Sequence, residues 1–194
     1  LDGLSVSITT KSNLVLRDID LLKRIAARSE ISVNMTVTTP RARLARLLEP
    51  RAPRPDLRLA AVRERRQAGI AAGVFVIPVL PGLTDAEEDL DALARGASEA
   101  GAGWFGAGVL FLMPTSREQF LPFLRKKFPR LSRKYQEFYG GRVYPPEEYR
   151  REIAQGVAAL RNKYNLGKRL PEAKSKSALA AQQLTMAWAP ASLR

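Results

Sequence analysis

The sequence predicts an α/β fold: a partial (βα) barrel of about four parallel strands with helices outside, followed by a C-terminal helical extension. Three observations carry that expectation. Four β-rich apolar runs, LSVSITT (4–10), ISVNMTV (31–37), AGVFVIPVL (72–80) and WFGAGVLFLM (104–113), begin 27, 41 and 32 residues apart, the spacing of strand–helix–strand units. Each of the first three is followed by a helix-like segment. Near-continuous apolar strands also suit a sheet covered on both faces.

The elements follow in order. The first run ends in TTKS (9–12), and DIDLLKRIAARS (18–29) then sets Ile19, Leu22 and Ile25 on one stripe, with Arg17 and Asp18 a local ion pair at its start. The second run exits through VTTP (37–40). Its helix, PDLRLAAVRERRQAG (55–69), turns Leu59 and Val62 inward and stops at Gly69, a residue suited to the C′ position. The third exits through PVLPGLTD (78–85), where Thr84 is placed as N-cap of a helix over 85–101 with acids in its first turn. The fourth leads into LMPTS (112–116), and Trp104 and Phe105 are expected in the core. Right-handed crossovers make such strands parallel and bring all four exits to one rim, rich in hydroxyls and backbone amides.

After Pro114 the texture changes. FLPFLRKKFPRLSRKYQEFYGG (120–141) is basic with interleaved aromatics, and YPPEEYRREIAQGVAALRNKYN (144–165) reads as a helix with Ile153, Val157, Leu160 and Tyr164 on one stripe. The expected divisions are a barrel part over 1–115, a basic helical extension over 116–170 and a fraying tail over 171–194.

Composition narrows the chemistry. The 194 residues include no cysteine and no histidine, which excludes disulfides, Cys/His zinc sites, thiolate-held iron–sulfur clusters and any imidazole base within this chain. The net charge is +13, of which residues 116–170 hold +9 and residues 1–115 only +2. A basic C-terminal third suits an acidic partner such as DNA or RNA. There Arg125, Lys126, Lys127, Arg130, Arg133 and Lys134 could track phosphates while Phe128, Tyr135 and Tyr139 stack bases. The alternative is a helix that packs its Leu and Phe side and merely solvates its charges. No stretch reaches the ~20 apolar residues of a membrane span, and the N-terminus carries no signal pattern, so a cytoplasmic setting is the expectation. The chain opens on Leu1, so its native start is expected upstream. PGLTD (81–85) holds too few glycines for a P-loop, and GAGWFGAG (101–108) leads into a strand, against a dinucleotide fingerprint.

The order ITTKSNLVLRDIDLL, then VNMTVTTPRARLARLLEPRAPRPDLRLAAVRERRQAGI, then GVFVIPVLPGLTDAEED, resembles the radical SAM superfamily, in the branch similar to spore photoproduct lyase. The likeness covers residues 4–115 and extends through FPRLSRKYQEFYGGRVY. It implies the last four of six βα units, with the C-x-x-x-C-x-x-C loop that binds a 4Fe-4S cluster lying before them. It also implies a wall for S-adenosylmethionine (SAM). Asn34 and Thr36 match the place that offers polar side chains to its ribose or carboxylate. Arg58 matches the family's Arg slot, with Glu49 orienting it. Ile77, Pro78 and Val79 sit where the adenine packs, Lys11 and Ser12 lie on the rim, and Leu112 closes the wall. The implied activity of the complete protein is reductive SAM cleavage and radical hydrogen abstraction, and this chain alone is expected to be inactive. The competing expectation is a non-catalytic, basic nucleic-acid-binding module derived from such an enzyme. A third is a barrel fragment that binds phosphate through PGLTD. A sheet starting at the first strand also leaves that strand's outer edge open to self-association.

Overall fold

The computed structural model describes residues 5–168; the 171–194 segment read as a tail lies outside them. Four strands form one parallel sheet in the order β1-β2-β3-β4: β1 (Ser5–Thr10), β2 (Glu30–Thr36), β3 (Ala71–Val79) and β4 (Phe105–Val109). Their C-terminal ends therefore share one edge, as the spacing of the runs implied. Register pairs Ile8 with Val33, Val33 with Ala72, Met35 with Val74, and Val74 with Phe105. Side chains alternate across a strand, so these residues face one side together.

That side is covered by helices. α1 (Ile19–Ala26) packs on β2, α3 (Pro55–Gln67) on β2 and β3, and α7 (Glu147–Lys163) on β4 and on α4 (Glu87–Glu99). Met35, Val62, Val74, Val76, Leu93, Phe105, Val157 and Leu160 form the main core between them. Each such side chain contributes ~1.5–3 kcal/mol on leaving water. α7 thus shares the core of the strands it follows, and the Ile153, Val157, Leu160, Tyr164 stripe is its packed face. Leu22, with Ile19 and Ile25 beside it, closes a smaller cluster against Ile31 and Val33.

The opposite side carries mostly small and polar residues, Ser7, Thr9, Ser32, Asn34, Gly73 and Gly106, with the Phe75 ring beside Gly106. The expectation of apolar cover on both faces is therefore met on one only, because β1 and β2 alternate rather than run apolar throughout. The Trp104 ring lies across Gly73, where an added Cβ would sit 2.2 Å from it. The indole Nε1 donates to Asn34 Oδ1 at 2.9 Å, and Asn34 Nδ2 donates to Ser7 Oγ at 2.9 Å. Trp104 is a core aromatic, as expected.

Three further differences have clear causes. The fourth strand stops at Val109, short of the expected 113, because after Leu110, whose N–H still donates to Val79 C=O, the chain leaves β3 and Leu112 N–H donates to Val143 C=O instead. Thr84 is not an N-cap: Ala86 holds that position, and the buried Thr84 hydroxyl instead accepts from Leu80 N–H at 2.8 Å. A short helix, α2 (Ala42–Leu48), fills the stretch between the second exit and α3. Beyond β4, α5 (Pro114–Lys127) ends at the Phe128–Pro129 break, and α6 (Ser132–Tyr139) follows a single 3-10 turn. A second cluster of Leu80, Leu83, Leu110, Leu112, Leu124, Tyr135 and Tyr139 ties these helices to the strand exits.

Candidate functional site

The four exits converge on one cavity of about 390 Å³, within the ~300–1,000 Å³ range of small-molecule sites. Lys11 comes from one residue past β1, Thr38 from two past β2, Pro78 and Leu80 from the end of β3, and Leu110 from just past β4. Leu48 and Glu49 enter from the end of α2, and Ser116, Gln119, Phe120 and Phe123 from α5. The wall is mainly aliphatic and aromatic, with a few polar groups at one end.

That polar end is built around Glu49. Its Oε1 lies 2.6 Å from Lys11 Nζ and accepts from Thr38 Oγ1 at 2.7 Å, while Oε2 lies 2.7 Å from Arg58 Nη1. Arg58 is only 1 % exposed and is anchored twice more, Nε to Pro53 C=O at 2.8 Å and Nη1 to Thr36 C=O at 3.0 Å. Burial alone would raise the Glu49 carboxyl. Hydrogen bonds from Lys11, Thr38 and Arg58, with the Arg58 charge, outweigh it and hold the carboxyl below the usual carboxylate range. The end of the cavity is therefore an ionised carboxylate between two cations. Lys11 is 45 % exposed and is the one cation lining the cavity among the described residues.

The structure sorts the sequence-derived residues by place. Lys11 and Pro78 line the cavity. Arg58 and the Thr36 carbonyl stand behind it through Glu49. The Ser12 side chain accepts from Leu14 N–H and caps the next turn. Asn34 is held by Trp104 and Ser7 on the polar sheet face. Val79 is in the main core, Leu112 in the cluster under α5 rather than on the wall, and Ile77 is exposed. Thr38, Leu48, Leu80, Leu110, Ser116, Gln119, Phe120 and Phe123 had not been singled out as ligand contacts. The exits VTTP and LMPTS pointed to part of this set, but α5 reaches the cavity from beyond the strands.

The basic segment divides as well. Arg125, Lys126, Lys127 and Arg130 are exposed and make no ion pair among the described residues, whereas Arg133 pairs with Glu137 at 2.9 Å. Lys134 lies over the Phe138 and Tyr149 rings, 5.4 and 5.9 Å from their centroids. Tyr135 and Tyr139 are 1 % exposed and stacked 5.6 Å apart, and Phe128 packs on the same cluster. The two tyrosines are core, not base-stacking platforms, because the Leu and Phe side of the segment covers the strand exits. The PGLTD loop does not present a phosphate cradle. Gly82 N–H donates to both Asp85 carboxylate oxygens at 2.8 Å, which occupies the amide and puts a negative charge there.

No family model matches the chain. Among solved structures, the same fold occurs in spore photoproduct lyase. A spore photoproduct lyase mutant with bound AdoMet and dinucleoside spore photoproduct matches at a TM-score of 0.59 and 16% identity, over 82% of this chain and 48% of that one. A spore photoproduct lyase complexed with dinucleoside spore photoproduct matches at 0.57 and 16%, with the same coverage. At that identity the likeness is one of fold: this chain has the fold of one part of a spore photoproduct lyase. By sequence it is 36% identical to the uncharacterized protein Rv2578c of Mycobacterium tuberculosis over 164 residues, 84% of this chain and 48% of that protein. It is 38% identical to the uncharacterized protein MJ0683 of Methanocaldococcus jannaschii over 82 residues, 42% of this chain and 30% of that protein. The chain spans about half the length of the first of these relatives.

Proposed function

We propose that this chain is part of a radical SAM enzyme and supplies one arc of its SAM and substrate wall. The observation that carries the reading is the convergence of all four strand exits on one cavity with a cation at its polar end. SAM has a carboxylate at one end and a purine at the other. Lys11 suits the carboxylate, and Leu48, Pro78, Leu80, Leu110, Phe120 and Phe123 offer an apolar wall for the ring. Arg58 acts through Glu49 as an anchor, and Asn34, Thr36, Val79 and Leu112 hold the frame. In a complete radical SAM enzyme the cofactors supply reductive SAM cleavage and hydrogen abstraction; the polypeptide binds, orients and shields. A 4Fe-4S cluster does not fit the residues present: the chain has no cysteine, and among the described residues no group of His, Cys, Asp and Glu is placed to hold a metal.

Calorimetric titration of the chain with SAM tests the reading. Saturable binding is expected, weakened about 10-fold or more in Lys11→Ala, since a hydrogen bond to a charged group contributes ~1.5–3 kcal/mol. Absence of binding, or an unchanged constant in Lys11→Ala, counts against it.

A second reading, a basic nucleic-acid-binding module, is favoured by a separate observation. Phe111 and Tyr144 are both half-exposed with ring centroids 5.8 Å apart, and the Arg150 guanidinium lies 5.7 Å over Tyr144. With Arg125, Lys126, Lys127 and Arg130 elsewhere on the surface, aromatic faces and cations suit a single strand.

A further inference from the structure

We infer that Glu49 is the specificity-determining residue of this cavity: it cancels one of two cations, leaving a single positive charge that takes a carboxylate-bearing ligand and rejects phosphate-bearing ones. The inference takes the adenosine-type ligand from the SAM reading above; the charge logic is its own.

The polar end holds Arg58, Lys11 and one carboxylate. Arg58 cannot turn to a ligand, being 1 % exposed and tied to Pro53 and Thr36 carbonyls. Lys11 can, because it is 45 % exposed and lines the cavity. When Lys11 moves to an incoming anion, Glu49 keeps the buried Arg58 neutralised, so exchange strands no buried charge. The singly charged carboxylate group of such a ligand thus meets one available cation. A phosphate, near −2 at neutral pH, meets the same cation with an ionised carboxylate 2.6 Å behind it, and that second charge is repelled. Hydrogen bonds hold Glu49 ionised in spite of burial, so the repulsion persists through neutral pH.

The chain is titrated with SAM, with 5′-methylthioadenosine, which has the nucleoside but neither the amino-acid carboxylate and ammonium nor the sulfonium charge, and with 5′-AMP. The wild type is expected to prefer SAM to both. Glu49→Gln is expected to shift the 5′-AMP to SAM affinity ratio toward 5′-AMP by 10-fold or more, and Glu49→Asp to restore the wild-type ratio. A ratio unchanged in Glu49→Gln overturns the inference, even if both affinities fall together, because that is mere structural damage. Should Glu49→Gln not fold, Lys11→Met leaves the Glu49–Arg58 pair intact and removes the one available cation: SAM affinity falls 10-fold or more while 5′-AMP, still facing the Glu49 carboxylate, stays the weaker ligand, and 5′-AMP binding more tightly than SAM in this variant overturns the inference. If SAM does not bind but 5′-AMP does, the SAM reading fails, while tighter 5′-AMP binding in Glu49→Gln still supports the charge role. Binding of neither, in wild type or variant, overturns both.

Discussion

Arg65 lies in the buried stripe of α3, and none of its guanidinium nitrogens has a hydrogen-bond partner. Burial lowers its pKa to about 10, with the Glu64 charge pulling the other way. A folded pKa below the unfolded one means that the proton opposes folding. That cost is full below pH 10 and fades as pH rises past it. Arg65→Met is therefore expected to raise the thermal midpoint at pH 7 by several degrees, with the gain shrinking above pH 10; a lower midpoint would show that the guanidinium stabilises. Gly73 makes the opposite prediction. Its backbone is ordinary, but Trp104 occupies the space of a Cβ, so Gly73→Ala is expected to cost about 1–3 kcal/mol in denaturant unfolding. An unchanged midpoint would mean that the indole moves aside freely. Trp104 was legible as core from its apolar setting. Its partner Asn34, 70 residues away, was not, because that hydrogen bond depends on strand register.

The helical elements after β4 concentrate buried tyrosines. Burial raises the phenols of Tyr135, Tyr139 and Tyr149, and the charge of Asp85, which accepts from Tyr149 Oη at 3.0 Å, adds to the rise in Tyr135 and Tyr149. Folded pKa values above the unfolded value of 10.0 give stability that is complete below pH 10 and is lost as pH climbs beyond it. Phenolate absorbance from these three is expected to appear together with loss of helical circular dichroism; phenolate forming while the helices persist would contradict the packing described. At the other end, β1 pairs only with β2 among the described residues, and an open strand edge recruits other strands. Sedimentation is expected to show association that grows with concentration, and a strictly monomeric profile would rule out that edge as an interface. α2 escaped the sequence reading because seven residues between Pro40 and Pro50 are too short for a periodic signal. α5 and α6 read as one basic segment, although the Phe128–Pro129 step marks their break.

For the molecule as a whole, charge and fold make separate claims. Residues 116–170 hold +9 of the net +13, and four of the six cations singled out there are exposed and free of ion pairs among the described residues. If this surface meets single-stranded nucleic acid, log affinity falls with log salt at about −0.7 per phosphate neutralised, so four contacts give a slope near −3. Replacing Arg125, Lys126, Lys127 and Arg130 by Ala is expected to flatten the slope without moving the thermal midpoint. Binding that ignores salt would leave the basic third as a solvated face.

From the sequence alone follow the α/β class, the parallel order and the common rim, because strand spacing and crossover geometry leave few other arrangements. The absence of cysteine likewise excludes thiolate-held clusters without any coordinates. Only the tertiary structure decides what fills the rim. Glu49 meets Lys11, Thr38 and Arg58 because β1, β2 and the α2–α3 connection end at one point, and α5 folds back to close the cavity with Phe120 and Phe123. Such contacts join residues far apart in the chain, and local pattern carries no record of them.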